Sequence, residues 1–378
     1  MWLVLYVVLW ILNILCVSSN RSNRLISLLS YLYMAILFIL NSGTAGDAYK
    51  YKIDFENFAF DDSWSELGYG LFKNALRMGG ITTYNGLLFG LFIMASVFLL
   101  LGIRYFHSSY NTVFAVIMPF IFPTCAVAIR FFVVVGILVF SLRFLINRQV
   151  IPYILCVILA TLFHRTALFY LIFLICTSDR INAVDNVKKI GIKIVVFFSL
   201  ISVFLTYISG KVPFIGVAIS FVSSVFGGMD IKIEAYTASM TKLGAVMFLC
   251  IYVVGLSYAS YMRKLITSER DMGYVAYKQM LEFANVNYYI QLLMSITMPF
   301  IVINLVYYRL LMIGFISNAI LYGMFISSRG KTKSVGTLRI DRSNILFLAT
   351  CVVWLIPEYI GINSITIQGL IDASVLFK

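Results

Sequence analysis

VIPYILCVILATLFHRTALFYLIFLICTS, residues 150–178, sets two apolar runs on either side of an adjacent histidine and arginine, His164 and Arg165. The links that flank it, SLRFLINRQ (141–149) and DRINAVDNVKKIGIK (179–193), are both basic. Lys and Arg collect on the cytoplasmic side of membrane proteins, so both links are expected there. The chain between them must then rise and return, with His164-Arg165 at the tip of a hairpin. Each limb is short, since about 13 α-helical residues rise roughly 20 Å against roughly 30 Å of hydrocarbon. The tip is therefore expected below the outer membrane surface, unless the bilayer thins around it.

Composition fixes the class. Of 378 residues, 61% are hydrophobic and 12% charged, which is more apolar surface than a soluble domain can bury. Aromatics make up 16%, with 24 Tyr and 32 Phe, a usage that suits lipid-facing surfaces and interfacial belts. The first apolar stretch, Met1–Val17, lacks a basic leading region and a small-residue cleavage site, so it reads as a span. Cys16, Cys125, Cys156, Cys176, Cys250 and Cys351 form no CxxC or other ligand spacing. Neither a disulfide framework nor a metal site is expected from them.

Apolar segments fall near 1–18, 25–41, 84–104, 110–122, 126–146, 150–163, 166–178, 190–208, 243–262, 283–303, 308–327 and 344–360. They predict an all-α, polytopic integral membrane protein, one transmembrane domain over 1–378. About 12 transmembrane or half-membrane helices are expected. The basic links 19–24, 141–149, 179–193, 262–279 and 327–343, with the 104–110 turn, hold 18 of the 29 Lys and Arg. Placed in the cytoplasm, they absorb nearly all of the +13 net charge, so no nucleic-acid footprint is left to explain. Both termini then fall outside. A second hairpin, between the 104–110 turn and the 141–149 link, has the tip IFPTCAVAIRFF (121–132), with Arg130 near its top. Pro119 and Pro123 are expected to break the helix there. Non-helical backbone at that depth must be buried in protein or line a wet cavity. Two short hairpins with basic tips suggest a cavity open to the outside.

An ionisable residue inside a membrane segment is costly unless partnered, and so marks a site. Arg130, His164, Arg165 and Arg309 meet that test on the outer side, the last in NLVYYRLLMIGF (304–315). A guanidinium fork can hold phosphate oxygens through paired hydrogen bonds. Arginines near helix ends also snorkel to headgroups, which Arg165 in particular fits. His164 suits either proton transfer, phosphate orientation or a plain polar contact in a turn. His107 reads as a surface residue. The outer loop 42–83 carries six acids against four bases, and in it Asp47 lies among Gly43, Gly46, Tyr49 and Tyr51. Tyrosine rings stack well on sugars. Asp54, Glu56, Asp61, Asp62 and Glu66 read as solvated acids of that loop, and the Asp61-Asp62 pair alone is weak evidence for a divalent cation. A second outer loop, 209–242, includes VPFIGVAISFVSSVF (212–226), too short to span and read as interfacial or re-entrant. The last stretch, 361–378, is too polar for another span. No Walker loop, GxSxG or HExxH motif appears, so ATP-driven transport and metalloprotease chemistry have no support.

Four stretches together carry a family likeness: NSGTAGDAYKYKIDF (41–55), AVAIRFFVVVGILVFSLRFL (126–145), LATLFHRTALF (159–169) and VYYRLLMIGF (306–315). In them the chain resembles the EpsG-like group of Wzy-type polysaccharide polymerases, membrane glycosyltransferases that assemble bacterial O-antigen, capsule or exopolysaccharide. Asp47 with Tyr51 is similar to the family's Gly-rich Asp-Tyr motif, Arg130 to the lead of its Arg-led helix, and His164 to its Phe-His-x-x-Ala-Leu histidine. Tyr308-Arg309 matches a late outer-face arginine. Many members have Arg-Gln where this chain has Arg130-Phe131.

The resemblance implies a GT-C-like architecture in the bacterial cytoplasmic (inner) membrane, with the active site toward the extracytoplasmic side. The donor would be a growing glycan on undecaprenyl diphosphate and the acceptor a lipid-linked repeat unit. It further implies catalytic roles for His164, Asp47 and Arg130, and substrate binding by Arg130, Arg309, Arg165, Tyr51 and Tyr308. It calls for neither metal nor cofactor, and a flippase and a chain-length regulator are the implied partners. A flippase or transporter of lipid-linked oligosaccharide and an O-antigen ligase are the rival functions. A metal-dependent lipid-linked sugar transferase, relying on Asp61 and Asp62, is a further rival.

Overall fold

The run FFVVVGILVF (131–140) has no polar stripe, and a helix apolar all round belongs in the middle of a bundle. The computed structural model puts it there. It describes residues 2–19, 22–43, 47–57, 66–177, 193–194, 196–198, 200–201, 204, 242–268, 274–303, 305–329, 342–353 and 371, and among these every extended element is helical. The expected 209–242 loop with its 212–226 segment, the 179–193 link, most of the 327–343 link, the Asp61-Asp62 pair and the 361–378 tail lie wholly or mainly outside the described residues.

Helices α1 (Trp2–Ser18), α2 (Arg24–Ile39), α3 (Asp47–Glu56), α4 (Leu67–Met78) and α5 (Tyr84–Tyr105) open the chain. Then come α6 (Tyr110–Val116), α7 (Phe122–Val127), α8 (Ile129–Ile146) and α9 (Val150–Phe163). Beyond the hairpin lie α10 (Lys242–Ser268), α11 (Tyr274–Leu293), α12 (Met298–Ile303), α13 (Met312–Arg329) and α14 (Arg342–Val353). Among the described residues three helices are long and apolar enough to cross a membrane: Tyr84–Tyr105, Ile129–Ile146 and Tyr307–Ser328. Shorter apolar helices surround them. The expected outer loop 42–83 is not a plain loop, because α3 and α4 lie within it.

Every residue from Phe131 to Val139 on α8 is buried. Its approach to α5 is backbone on backbone, since a Cβ at Gly136 would collide with the Ala95 carbonyl oxygen. Such contacts replace hydrophobic driving force where helices meet in lipid. By contrast α9 buries one stripe, Tyr153, Val157, Ala160 and Phe163, and turns Ile151, Leu155 and Ile158 outward.

Helix ends sort into two sets. At one end Asn147, just past α8, donates to the Tyr105 hydroxyl at 2.7 Å. There too the Asn23 N–H meets Asn111 Oδ1 at 2.9 Å, and Asn344 reaches the Ser18 carbonyl at 3.3 Å. The 19–24, 104–110 and 141–149 basic links thus share one end of the bundle. At the other end Asn41 donates to the Ala126 carbonyl at 3.3 Å and Asn85 to Ile39 at 2.8 Å.

The two hairpins depart from their expected shapes. Pro119 lies in a π-helical turn, Ile117–Ile121, and Pro123 in the first turns of α7, so neither proline breaks the helix. The wider turn relaxes the hydrogen-bond ladder where proline has no N–H to offer. The break comes at Ala128 (φ −87°, ψ 63°), which sets Arg130 in the first turn of α8. The returning limb of the His164 hairpin, Arg165–Thr177, winds as a 3-10 helix. At roughly 2.0 Å per residue it rises about 26 Å, closer to a full crossing than an α-helix of that length. Its buried residues Ala167, Tyr170, Phe173 and Cys176 recur every third position, the period of that helix. The Tyr153 hydroxyl donates to the Tyr170 carbonyl at 2.8 Å and ties the two limbs together.

Deep between α10, α11 and α13 runs a seam of amides. Asn287 donates to Asn318 Oδ1 at 2.7 Å, Asn318 to the Gly255 carbonyl at 3.1 Å, and Gln291 to the Gly314 carbonyl at 2.5 Å. The Ser317 hydroxyl donates to Asn287 Oδ1 at 2.5 Å.

Candidate active site

Arg130 stands where α7 hands over to α8, at the end of the bundle opposite the basic links. Its guanidinium lies 4.7 Å from the Tyr51 ring centre and 5.3 Å from that of Tyr69. Rings and cation attract through the ring quadrupole, more strongly where water is excluded. Glu66, at the start of α4, forms an ion pair with Arg130, and both side chains are mostly buried. Glu66 was expected to be a solvated acid. It is instead the carboxylate of this cage, and its side chain makes no capping bond to α4 although it occupies the cap position.

The cage leaves donors unserved. Arg130 Nε and the hydroxyls of Tyr69 and Tyr84 are buried and find no hydrogen-bond partner among the described residues. Burial, reinforced by nearby Tyr51, Asp54 and Tyr84, pushes the Tyr69 phenol well above its ordinary range. Tyr69 therefore keeps its proton and remains a donor.

The helices that carry this cage are stapled down. Asp54, also expected to be solvated, takes the buried Lys73 ammonium at 2.8 Å, and its carbonyl accepts from Arg77 at 3.1 Å. These bonds join α3 to α4. Gly68 lets α4 sit directly on the hairpin, because a Cβ there would stand 2.7 Å from Leu162 Cβ. Ahead of α3, Gly43 adopts a positive φ of 69°, and its N–H meets Asn41 Oδ1 at 3.0 Å. Gly43 is thereby tied to α7 through Asn41. Asp47 begins α3, and its side chain lies outside the description.

His164 ends α9 in an extended conformation and packs edge-on against Phe131, the neighbour of Arg130, with ring centres 5.7 Å apart. Its Nδ1 faces the Thr166 hydroxyl at 2.8 Å and the Thr166 N–H at 3.4 Å. Arg165 follows at the tip, half-buried.

Arg309 belongs to a 3-10 turn, Leu305–Leu311, that leans on α7 and on the hairpin. The Tyr308 hydroxyl bonds Thr124 Oγ1 at 3.0 Å, and the Tyr170 hydroxyl donates to the Leu310 carbonyl at 3.2 Å. Arg309 lies close enough to Tyr308 and Cys125 to act on both, and its Nε is buried without a hydrogen-bond partner among the described residues. So the structure brings Arg130, Tyr51 and His164 around one helix start. Arg309 and Tyr308 stand against the preceding turn, outside the tyrosine cage.

Sequence reasoning missed Glu66, Tyr69 and Tyr84. One signal was present: Leu67, Leu71, Phe72, Ala75 and Leu76 recur at helical spacing and mark α4. Nothing in the sequence reports that Glu66 meets a residue 64 positions away.

Among curated proteins and solved structures, none matches the chain. The model of the EpsG family matches residues 24–360, which takes in α2 through α14 and every candidate residue above. With its apolar helices and its caged arginine, the chain belongs to the EpsG family of membrane proteins of polysaccharide biosynthesis.

Proposed function

We propose that the chain is a membrane glycosyltransferase of GT-C-like architecture that polymerises undecaprenyl-diphosphate-linked repeat units at the extracytoplasmic face of the cytoplasmic membrane. One observation carries this reading: a mostly buried guanidinium, Arg130, held by two tyrosine rings, with donors around it that have no partner among the described residues. That cage lies at the end opposite the basic links, and the positive-inside bias assigns this end to the outside.

In the reaction, an acceptor hydroxyl oxygen attacks the donor's anomeric carbon. The new glycosidic bond forms as the bond to the diphosphate oxygen breaks, and the lipid diphosphate leaves with the electron pair. Negative charge grows on the leaving group, and fixed cations in a water-poor site stabilise growing charge best. Arg130, in the first turn of α8, and Arg309, beside Tyr308 and Cys125, supply them. His164 suits either a hydrogen bond to a phosphate oxygen or uptake of the acceptor hydroxyl's proton, with Asp47 the rival base. Tyr51, Tyr308 and Arg165 are assigned to substrate binding through the family resemblance.

The test is genetic. Deletion of the protein should abolish long glycan ladders on gels while single repeats persist. Arg130→Ala and Arg309→Ala, each shown to remain in the membrane, should do the same. Wild-type ladders in either variant would remove that arginine from the site, and precursor accumulating on the inner face would favour transport instead. Arg165→Cys, in a background without native cysteines, should react with a membrane-impermeant thiol reagent added outside. Labelling that requires entry to the cytoplasm would invert the assigned sides.

A further inference from the structure

The Glu66–Arg130 pair poses a problem for the reading just given. A cation meant for a diphosphate already has an anion on it. The pair is not a loose surface contact, since the two side chains retain only 16% and 19% of their exposure. Nor is Glu66 occupied with local work, because it sits at the cap position of α4 without bonding that helix's free N–H groups. Its helix is anchored independently, through Lys73 and Arg77 to Asp54 and through Gly68 against Leu162. The pair is thus one of several anchors of α4.

Resting on the assignment of Arg130 as the diphosphate clamp, we infer that Glu66 is a resident counter-anion that a lipid diphosphate displaces on entry and that re-pairs with Arg130 to expel the diphosphate product. The unserved donors fit this exchange. A carboxylate offers two oxygens, and the arrangement leaves Arg130 Nε and the Tyr69 and Tyr84 hydroxyls without acceptors among the described residues. A diphosphate carries more charge and more oxygens than the carboxylate it replaces. Glu66 also keeps the empty site from holding a bare buried cation, which costs far more than a paired one. The same competition weakens every anionic ligand equally, so singly charged headgroups fall below useful occupancy. Glu66 therefore sets the affinity threshold of the site and the ease of product release.

Binding of farnesyl diphosphate to the purified full-length chain in lipid nanodiscs tests this. Glu66→Gln keeps the shape and removes the charge, and should bind the probe about tenfold more tightly than wild type. Glu66→Asp keeps the charge and should stay near wild type. Arg130→Ala should lose binding. If Glu66→Gln binds no more tightly while Arg130→Ala loses the probe, the counter-anion role fails and the clamp stands. If Glu66→Asp tightens as much as Glu66→Gln, loosening of α4 and not charge is responsible, and the role fails again. If Arg130→Ala binds as wild type does, or no variant binds at all, the clamp itself falls and the inference with it.

Discussion

Two polar regions lie inside this apolar bundle, and they are built on opposite plans. In the seam between α10, α11 and α13, Asn287, Gln291, Ser317 and Asn318 each have a partner within the protein. Around Arg130 there are full charges, aromatic faces and buried donors that have no partner among the described residues. A satisfied buried network rigidifies and specifies packing, whereas an unsatisfied one is costly to maintain. On the proposed reading, the contrast separates polar groups that hold helices together from polar groups placed to meet a ligand. Burial alone does not, since the seam residues are the more deeply buried of the two sets.

The comparison can be broken at three points. The largest effect is expected at Arg130→Lys, which keeps the charge but loses the planar fork. Polymerisation should drop roughly 100-fold or more, with the thermal midpoint in detergent unchanged. A stability loss matching the activity loss would make Arg130 a packing residue. Next comes the seam. Asn318→Ala leaves Asn287 without its acceptor and should cost about 1–3 kcal/mol of stability, while the folded fraction keeps near-normal turnover. Loss of activity without loss of stability would move the seam into the site. The smallest effect is expected at Tyr69→Phe, which deletes a hydroxyl that has no partner among the described residues. Stability should hold or rise slightly, and glycan chain growth should slow by roughly threefold to tenfold. An equal drop in melting temperature would mean that the hydroxyl is bonded after all.

Much of the frame was legible in the sequence. The α5 span was expected at 84–104 and runs Tyr84–Tyr105, and the turn at His164 falls where basic links on both sides demanded it. Long apolar runs between charges leave the chain little choice. The expectations that failed depend on finer balances. Pro119 was absorbed by a π-turn and Pro123 by the first turn of α7, and the actual break at Ala128 has no residue of its own to announce it. Of the candidate site, Arg130 and His164 stood out because charge and imidazole are rare in such segments, and Tyr51 came with the family resemblance. Glu66 and Tyr69 were hidden because acids and tyrosines in an outer loop look alike until folding chooses among them.

The returning limb of the hairpin carries one more consequence. Because Arg165–Thr177 turns three residues at a time, its inward positions form a straight file down the helix. Selection on this limb is therefore expected to beat in triplets, with Ala167, Tyr170, Phe173 and Cys176 intolerant and their neighbours permissive. A saturation library along the limb would show that rhythm, and a one-residue insertion would shift every later position by a third of a turn.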